Sequence, residues 1–394
     1  MMRKDSGFTL IELIITILMS ALIIAAAATA FIGLAGQSRT QSMIVESNEN
    51  MVGLEILRRD VESAGYGLFW NNSPMNYPEA AAAAIPPYAI AFNDFPGGLA
   101  PLAIVSKNNA AYAGVNNYFT GSDYLVIKST IVARNNTSDK WTYVTTNGAL
   151  NGMGGGVWVS STPANDNFNV GDRVIALSIR DPSTRTLIVG TSYYTVYNGP
   201  VNPPLADANF TPLDPNDAYV VYGIDHPAAV GTPQSPFNRA DYFISATVDP
   251  VPGRCAPKTG ILYKATLDQT TGQFSLQSLL DCVADMQVVY WLDQLGTGNL
   301  QAFSNISQYD FGLNLSAQQI RTQLKQVGVY ILTHEGAKDL TYTYPTQAPN
   351  DIYVGDFASL NGRWYTLDQT VPFNQLHYRW KVYQLLIKPT NLGI

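Results

Sequence analysis

Residues 8–36, FTLIELIITILMSALIIAAAATAFIGLAG, decide what the N-terminal part of this chain can form. The stretch contains one charged residue, Glu12, and the leader before it, MMRKDSG, carries Arg3 and Lys4. About 20 apolar residues cross the hydrocarbon core of a bilayer, so the stretch from Phe8 to roughly Phe31 predicts a membrane-spanning helix. The basic leader indicates that the N-terminus stays on the cytoplasmic side of the membrane.

This apolar stretch differs from an ordinary secretory signal. Such a signal has a shorter apolar region, ends at a small-residue cleavage site and is then discarded. The length and charge pattern here instead favour a retained anchor. A carboxylate inside a membrane helix is costly, so Glu12 is a functional candidate by default. The rest of the chain alternates polar and apolar residues like a soluble protein, which predicts an anchor followed by an exported body.

The composition suits a protein that works outside the cytoplasm. Charged residues make up 13% of the 394-residue chain, well below the roughly 25% of average soluble domains. Asn, Gln, Ser, Thr and the 23 Tyr supply the polar surface instead. The formal net charge of −7 gives no overall attraction to the phosphates of nucleic acids, so we predict no nucleic-acid partner.

Residue types that bind metals are sparse in this sequence. The two cysteines, Cys255 and Cys282, lie 27 positions apart and form no CxxC motif. In an oxidising compartment this pair predicts one disulfide rather than a zinc or iron–sulfur site. The three histidines, His226, His334 and His377, are scattered, and we expect them in ordinary surface or core positions. We therefore predict neither a metal nor a cofactor.

The sequence also lacks the short motifs of common enzymes. The glycine-rich run Gly152–Gly156 has no Lys-Ser or Lys-Thr pair after it, so a flexible turn is a better interpretation than a phosphate-binding loop. Neither a GxSxG nucleophile elbow nor an HExxH zinc motif is present. We predict that the protein is not an enzyme.

A helical period continues beyond the apolar stretch. Between Gln37 and Ala64, apolar residues recur at spacings of three, four or seven, which is typical of an amphipathic helix. These residues are Ile44, Met51, Leu54, Leu57, Val61 and Ala64. Since no proline interrupts the segment, we expect one helix of about 56 residues, on the order of 84 Å long, that ends at Gly65-Tyr66-Gly67. Its second half should pack under the body.

The sequence after this helix predicts a mainly antiparallel β body. Residues 71–120 are rich in Pro, Ala, Asn and Gly and show little periodicity, which indicates an irregular loop region. Ser316 is the predicted N-cap of a short helix. Strand-like segments are separated by clusters of Gly, Pro, Asn and Asp. They cover residues 123–133, 141–145, 172–179, 186–197, 218–224, 241–247, 261–267, 286–292, 327–333 and 376–388.

The hexapeptide Gly7-Phe8-Thr9-Leu10-Ile11-Glu12 resembles the class III signal of type IV prepilins and pseudopilins. The resemblance implies that a membrane-embedded peptidase cuts between Gly7 and Phe8 and N-methylates the new amino terminus at Phe8. A small Gly before the cut lets the backbone enter a tight peptidase site. In a filament, the Phe8 ammonium of a neighbouring subunit would lie beside Glu12, where opposite charges compensate each other's desolvation.

Several later segments resemble, in order, the PilW family of minor pilins. They are LEILRRDVESAGYG at 54–67, GILYKATL at 260–267, CVADMQVVYWLD at 282–293, QQIRTQLKQVGVYILTHEG at 318–336 and FNQLHYRWKVYQLLIKPTNLG at 373–393. The resemblance implies a type IV pilin-like α+β fold with a long N-terminal helix on a large, mainly antiparallel β-sheet body. The implied parts are a cleaved leader (1–7), a transmembrane and amphipathic helix (8–65) and a β-rich body (66–394).

The function implied by this resemblance is that of a minor pilin, which helps to initiate assembly of a type IV pilus. The body is much bulkier than a simple repeating subunit, which favours a position near the tip. The implied partners are other minor pilins, the major pilin, the prepilin peptidase, the inner-membrane assembly platform and a tip adhesin. The protein would cross the inner membrane once, with its body in the periplasm, and then join a filament at the cell surface. Adhesion, twitching motility, DNA uptake and secretion are alternative tasks of such a filament.

Two other functions share the same anchor. A type II secretion pseudopilin would act in a short periplasmic filament. A tip adhesin or ligand-binding pilin would use residues 71–120 and the insertion at 198–240 as its binding surface. The segments near the C-terminus favour the minor pilin.

Overall fold

The structure is a computed structural model of the chain. The residues that it describes are 9–71, 75–82, 86–94, 99–110, 119–146, 168–181, 184–199, 203–227, 231–306, 313–346, 351–370 and 374–393. The predicted leader (1–7) and the predicted glycine-rich turn (152–156) lie outside these ranges. The protein divides into two units, residues 1–49 and residues 50–394, and the second unit is called the body below.

Two α-helices and a series of antiparallel strands form the described part of the chain. The helices are α1 (Leu10–Glu62) and α2 (Ala317–Gln323). The strands are β1 (Ile104–Lys107), β2 (Tyr124–Ser129), β3 (Trp141–Thr145), β4 (Arg173–Asp181), β5 (Thr184–Leu187), β6 (Thr195–Val196), β7 (Ala218–Asp225), β8 (Asn238–Ser245), β9 (Gly260–Leu267), β10 (Phe274–Leu292), β11 (Gln301–Phe303), β12 (Leu324–Glu335), β13 (Asp351–Asp356), β14 (Asn361–Thr366) and β15 (Arg379–Ile387).

The described part of the first unit is the N-terminal portion of α1. Leu, Met and Ala, which lose little side-chain freedom in a helix, fill much of it, and no proline interrupts it. Between Leu10 and Phe31, the hydroxyl groups are satisfied within the helix. Thr16, Ser20 and Thr29 each donate a hydrogen bond to the carbonyl oxygen three residues earlier, at 2.8, 2.9 and 2.9 Å. The segment therefore leaves no hydroxyl donor of these residues unpaired in apolar surroundings.

The last turns of α1, from Asn50 onward, belong to the body. The predicted apolar face is buried at Leu54, Leu57 and Val61 of this helix and at Ala64, two residues after its end. Met51, which the same spacing placed on this face, is 62% exposed. Gly53 permits the closest approach of the helix to the sheet, because a Cβ at this position would lie 2.3 Å from the backbone oxygen of Leu279.

The main sheet of the body has eight strands in the order β1-β2-β8-β9-β10-β12-β15, with β11 paired to β10. Every pairing in it is antiparallel. The largest core cluster unites the buried face of α1 with side chains from these strands. The predicted α+β fold, an apolar N-terminal helix with a large antiparallel body, is confirmed.

Strand β10 is much longer than the alternating segment that sequence periodicity identified at 286–292. It begins at Phe274, and its first residues, 274–279, are exposed or half-buried. Apolar and polar residues alternate there only from Phe274 to Gln277, because Ser278 interrupts the pattern. The pairing between β9 and β10 shifts register around Leu280 and again before Val283. Cys282, at φ +57°, lies within this irregular stretch. The strand therefore changes from a solvent-facing to a fully buried environment along its length.

A second sheet has the order β3-β7-β4-β5, with β6 paired to β4. The single predicted strand at 186–197 is wrong, because the chain breaks between β5 and β6. The N–H of Gly190 donates to the carbonyl of Ser192 at 3.0 Å, which closes a tight turn. The Asp207 carboxylate accepts a bond from the Thr191 N–H at 3.0 Å and holds this turn. A packed apolar cluster lies on one face of the sheet.

Strands β13 and β14 form a separate hairpin that the sequence did not predict. Gly355 and Gly362 face each other in it, and a Cβ on either would lie 2.3 Å from a backbone oxygen of the opposite strand. The turn carries Leu360 at φ +56°, a position where Gly or Asn would have signalled a hairpin. Arg363 fixes the hairpin to the main sheet through Asp285, with 2.7 Å between Nε and Oδ2.

Candidate functional site

The anchor, Leu10–Phe31, is long and apolar enough to cross a membrane, with a mean hydropathy of 2.6. Its large apolar side chains are exposed, from 54% for Ile14 to 77% for Leu10. Apolar surface on this scale is stable in lipid or against apolar protein rather than in water. The segment therefore fits a single-pass membrane anchor.

The structure places Glu12 in the first turn of α1, where it caps the helix. The Glu12 carboxylate accepts hydrogen bonds from the backbone N–H and the hydroxyl of Thr9, both at 2.9 Å. In return, the Glu12 N–H donates to Thr9 Oγ1 at 3.4 Å. This exchange is a capping box, in which two free N–H groups at the helix start are satisfied reciprocally.

Sequence reasoning identified Glu12 as a charge that needs a partner but missed its capping role. The signal was present, since Thr9-x-x-Glu12 matches the Ser/Thr-x-x-Glu/Gln pattern of a capping box. The same arrangement occurs at the start of α2, where Ser316 is the N-cap, as predicted, and Gln319 completes the box. The two predicted processing residues, Gly7 and Phe8, lie outside the described residues, so cleavage between them stays a prediction.

A buried carboxylate, Asp60, joins the last turn of α1 to the main sheet. Asp60 is fully buried and lies 2.5 Å from Nζ of Lys264 on β9. It also accepts hydrogen bonds from the Tyr242 hydroxyl on β8, at 2.5 Å, and from two nitrogens of Arg134, at 2.9 and 2.6 Å. Burial lowers the pKa of Lys264, although the Asp60 charge opposes this shift. The helix end is thus held by two cations and one phenol.

A second buried network ties the irregular region before β1 to strands β2 and β8. Lys128 Nζ lies 2.7 Å from both Glu79 and Asp94, and Arg239 lies 3.1 Å from Glu79 and 2.7 Å from Asp241. All five side chains are almost entirely buried. Burial raises the pKa of Asp94 to about 6, even though Lys128 lies beside it. Buried charges of both signs therefore hold this region in place.

The structure joins Cys255, before β9, to Cys282 on β10 in a disulfide. His334 lies against this bond, and its ligand atom and the two sulfurs lie within 4.8 Å of one another. The sulfurs are bonded to each other, so this group offers no thiolate to a metal. His334 Nε2 accepts a hydrogen bond from the Ala256 N–H at 2.7 Å, and burial lowers the pKa of His334 to about 4. His334 is therefore a neutral core histidine.

The other two histidines also have partners within the body. His226 Nδ1 lies 2.8 Å from the Asp172 carboxylate, and His377 Nδ1 donates to the backbone oxygen of Tyr342 at 2.7 Å. Neither belongs to a cluster of possible metal ligands in the described ranges. The three histidines thus occupy the ordinary surface and core positions expected of them.

Comparison with known proteins gives one match. A family model described as the prokaryotic N-terminal methylation motif matches residues 2–28. Over these residues the chain is similar to type IV prepilin-like proteins. The motif includes Gly7, Phe8 and Glu12 and ends within the anchor, so it does not reach the body. No curated protein and no solved structure matches the chain.

The matched motif and the structure together define the candidate functional site. The motif supplies the methylation signal, and the described residues supply an exposed apolar helix that begins with a capping box. Proteins with this motif are structural rather than enzymatic. The finer assignment, to minor pilins of the PilW type, rests on segments of the body outside the match.

Proposed function

We propose that this chain is a minor pilin of the type IV pilus, of the PilW type, that helps to initiate filament assembly and lies near the pilus tip. The methylation motif at residues 2–28, continuous with an exposed apolar helix, carries the proposal. A body with two sheets and a hairpin supports the location near the tip, because it is bulky for a subunit that repeats along a filament.

The proposed maturation begins with the prepilin peptidase, which removes residues 1–7 and methylates Phe8. The anchor then holds the protein in the inner membrane with the body in the periplasm. At the assembly platform the anchor leaves lipid and packs against other minor pilins and the major pilin. There, the methylated ammonium of a neighbouring subunit would lie beside Glu12 in surroundings of low dielectric.

Deletion of the gene tests the proposed role in assembly. We expect far fewer surface filaments and loss of twitching, while protein secretion continues. Normal filament numbers together with lost secretion would instead identify a type II secretion pseudopilin, which shares the motif. Normal filaments with lost attachment would identify a tip adhesin. Complementation with the wild-type gene is the control.

Mass spectrometry of the mature chain tests the proposed processing. Protein recovered from filaments should begin with methylated Phe8. Gly7→Ala should still be cleaved, because Ala adds one methyl group, whereas Gly7→Arg should accumulate as the uncut precursor. Recovery of residues 1–7 on the filament protein would contradict the proposal.

A further inference from the structure

Two arginines and one tryptophan meet in the body at a place that the proposed function does not use. Trp70 follows the end of α1, Arg185 lies on β5 and Arg321 lies on α2. The guanidinium carbon of Arg321 is 3.8 Å from the centre of the Trp70 ring, and that of Arg185 is 4.9 Å from it. The backbone N–H of Trp70 also donates to the backbone carbonyl of Arg185 at 2.7 Å, which joins the two segments.

The positive charge at this place has no counterpart in the described part of the chain. Neither guanidinium forms an ion pair or donates a hydrogen bond to a described residue, whereas Arg180, on the neighbouring strand, pairs with Asp214 at 3.4 Å. Burial and the nearby charge of Arg185 lower the pKa of Arg321. Two like charges thus stack on one indole ring, and no acid among the described residues pairs with either of them.

The side chains have the chemistry of an anion site. Each guanidinium carries five N–H donors in a planar fork that matches the oxygens of carboxylates and phosphates. Stacking on an indole ring fixes the plane of such a fork and leaves its edges open. Two positive charges match the charge of a phosphate group, which is about −1.5 to −2 at neutral pH, better than that of one carboxylate.

We propose that Arg185 and Arg321, oriented by Trp70, bind a phosphate group. The ligand is either free phosphate or a phosphate monoester carried by a larger molecule. The half-buried position of the three side chains leaves the site open to solvent in the described structure. This proposal does not depend on the protein being a pilin.

Titration of the full-length protein in detergent with inorganic phosphate tests the site, with sodium chloride at equal ionic strength as the reference. We expect saturable binding by calorimetry and a change in tryptophan fluorescence that Trp70→Phe abolishes. Arg185→Gln and Arg321→Gln should each weaken binding by about tenfold or more, because each removes charge-assisted hydrogen bonds. Arg180→Gln is the matched control and should bind like the wild type.

The same titration with glycerol 3-phosphate distinguishes the two sources of the phosphate group. Tighter binding than inorganic phosphate would identify a monoester ligand, and weaker binding would identify free phosphate. A phosphate titration that matches the chloride titration, or equal binding by the Arg321→Gln and Arg180→Gln variants, would overturn the proposal. The three side chains would then form a structural stack.

Discussion

The anchor and the body distribute their side chains in opposite ways. The anchor exposes Leu, Ile and Phe along its whole described length, while the body buries Asp60, Lys128 and Arg239 completely. Exposed apolar side chains are unfavourable in water, and buried charges are unfavourable in a protein interior unless they are paired. The anchor is stable because its surroundings are apolar, and the body's buried charges are stable because each has partners of opposite sign. The apolar surroundings therefore stabilise the anchor, whereas specific charge pairs stabilise the body.

The largest effect should follow from breaking the charge pair at the end of α1. Asp60→Ala leaves Lys264 buried without its carboxylate, and loss of one partner of a buried pair costs about 3 to 5 kcal/mol. Urea unfolding of the full-length protein in detergent measures this change. Glu55→Ala is the matched control on the same helix. Glu55 pairs with Arg59 at the surface, so its loss should not measurably change unfolding. Equal effects of the two changes would show that the buried pair does not hold the helix.

The second effect should follow from loss of the disulfide. Cys255→Ser with Cys282→Ser opens a loop of 27 positions. For a loop of this length, the chain-entropy relation gives a loss of about 3 to 4 kcal/mol in the free energy of unfolding. Urea unfolding with and without a reducing agent measures it, and the double variant should be insensitive to the reductant. Two free thiols in peptides from exported protein would contradict the pairing.

A third, smaller effect concerns the free energy of unfolding at acidic pH. The folded pKa of His334 is about 4, below its ordinary value of 6.5, so the unfolded chain binds a proton between these values and the folded protein does not. The free energy of unfolding should therefore fall as pH drops from 6.5 to 4, by about 2 to 3 kcal/mol from this residue. Urea unfolding at several pH values should give a shallower fall for His334→Gln than for the wild type. Equal slopes would mean that His334 is accessible to protons in the folded protein.

The smallest effect on folding concerns Glu12, which lies in the anchor. Its variants test whether the residue acts through its charge or through helix capping. Neither Glu12→Gln nor Glu12→Ala should change the unfolding of the body. Gln preserves the capping box and removes the charge, whereas Ala removes both. If the charge pairs with a neighbouring Phe8 ammonium, both variants should be inserted and cleaved but enter sheared filaments poorly. Wild-type incorporation of Glu12→Gln would assign Glu12 to helix capping and end the pairing proposal.

The sequence predicted the elements whose pattern is local. The apolar stretch and the helical spacing at Leu54, Leu57 and Val61 identified α1, and β3 at 141–145 agrees residue for residue. The first half of β10 was missed because its alternation covers only four residues, and the β13–β14 hairpin was missed because it lacks the usual turn residues. Both elements pair with the strand next to them in the chain, β10 with β9 and β13 with β14, so a local signal was missing rather than a distant partner.

The functional and buried charged residues also differ in how far the sequence predicts them. Gly7, Phe8 and Glu12 form a contiguous motif, so the sequence alone points to them. The buried roles of Asp60 and Lys128 were not predictable, because single charged residues ordinarily face solvent and their partners are distant in sequence. Trp70, Arg185 and Arg321 likewise meet only through the packing of the body.

The hydroxyl bonds of the anchor bear on how such a segment changes its surroundings. Thr16, Ser20 and Thr29 each bond to a carbonyl of their own helix and so need no partner from outside. Extraction of the helix from lipid into an apolar protein interior then breaks none of these bonds. Apart from Glu12, whose charge needs a partner, the equilibrium of the anchor between the two surroundings depends on van der Waals fit and lipid entropy. A small gain in fit on either side can therefore shift this equilibrium.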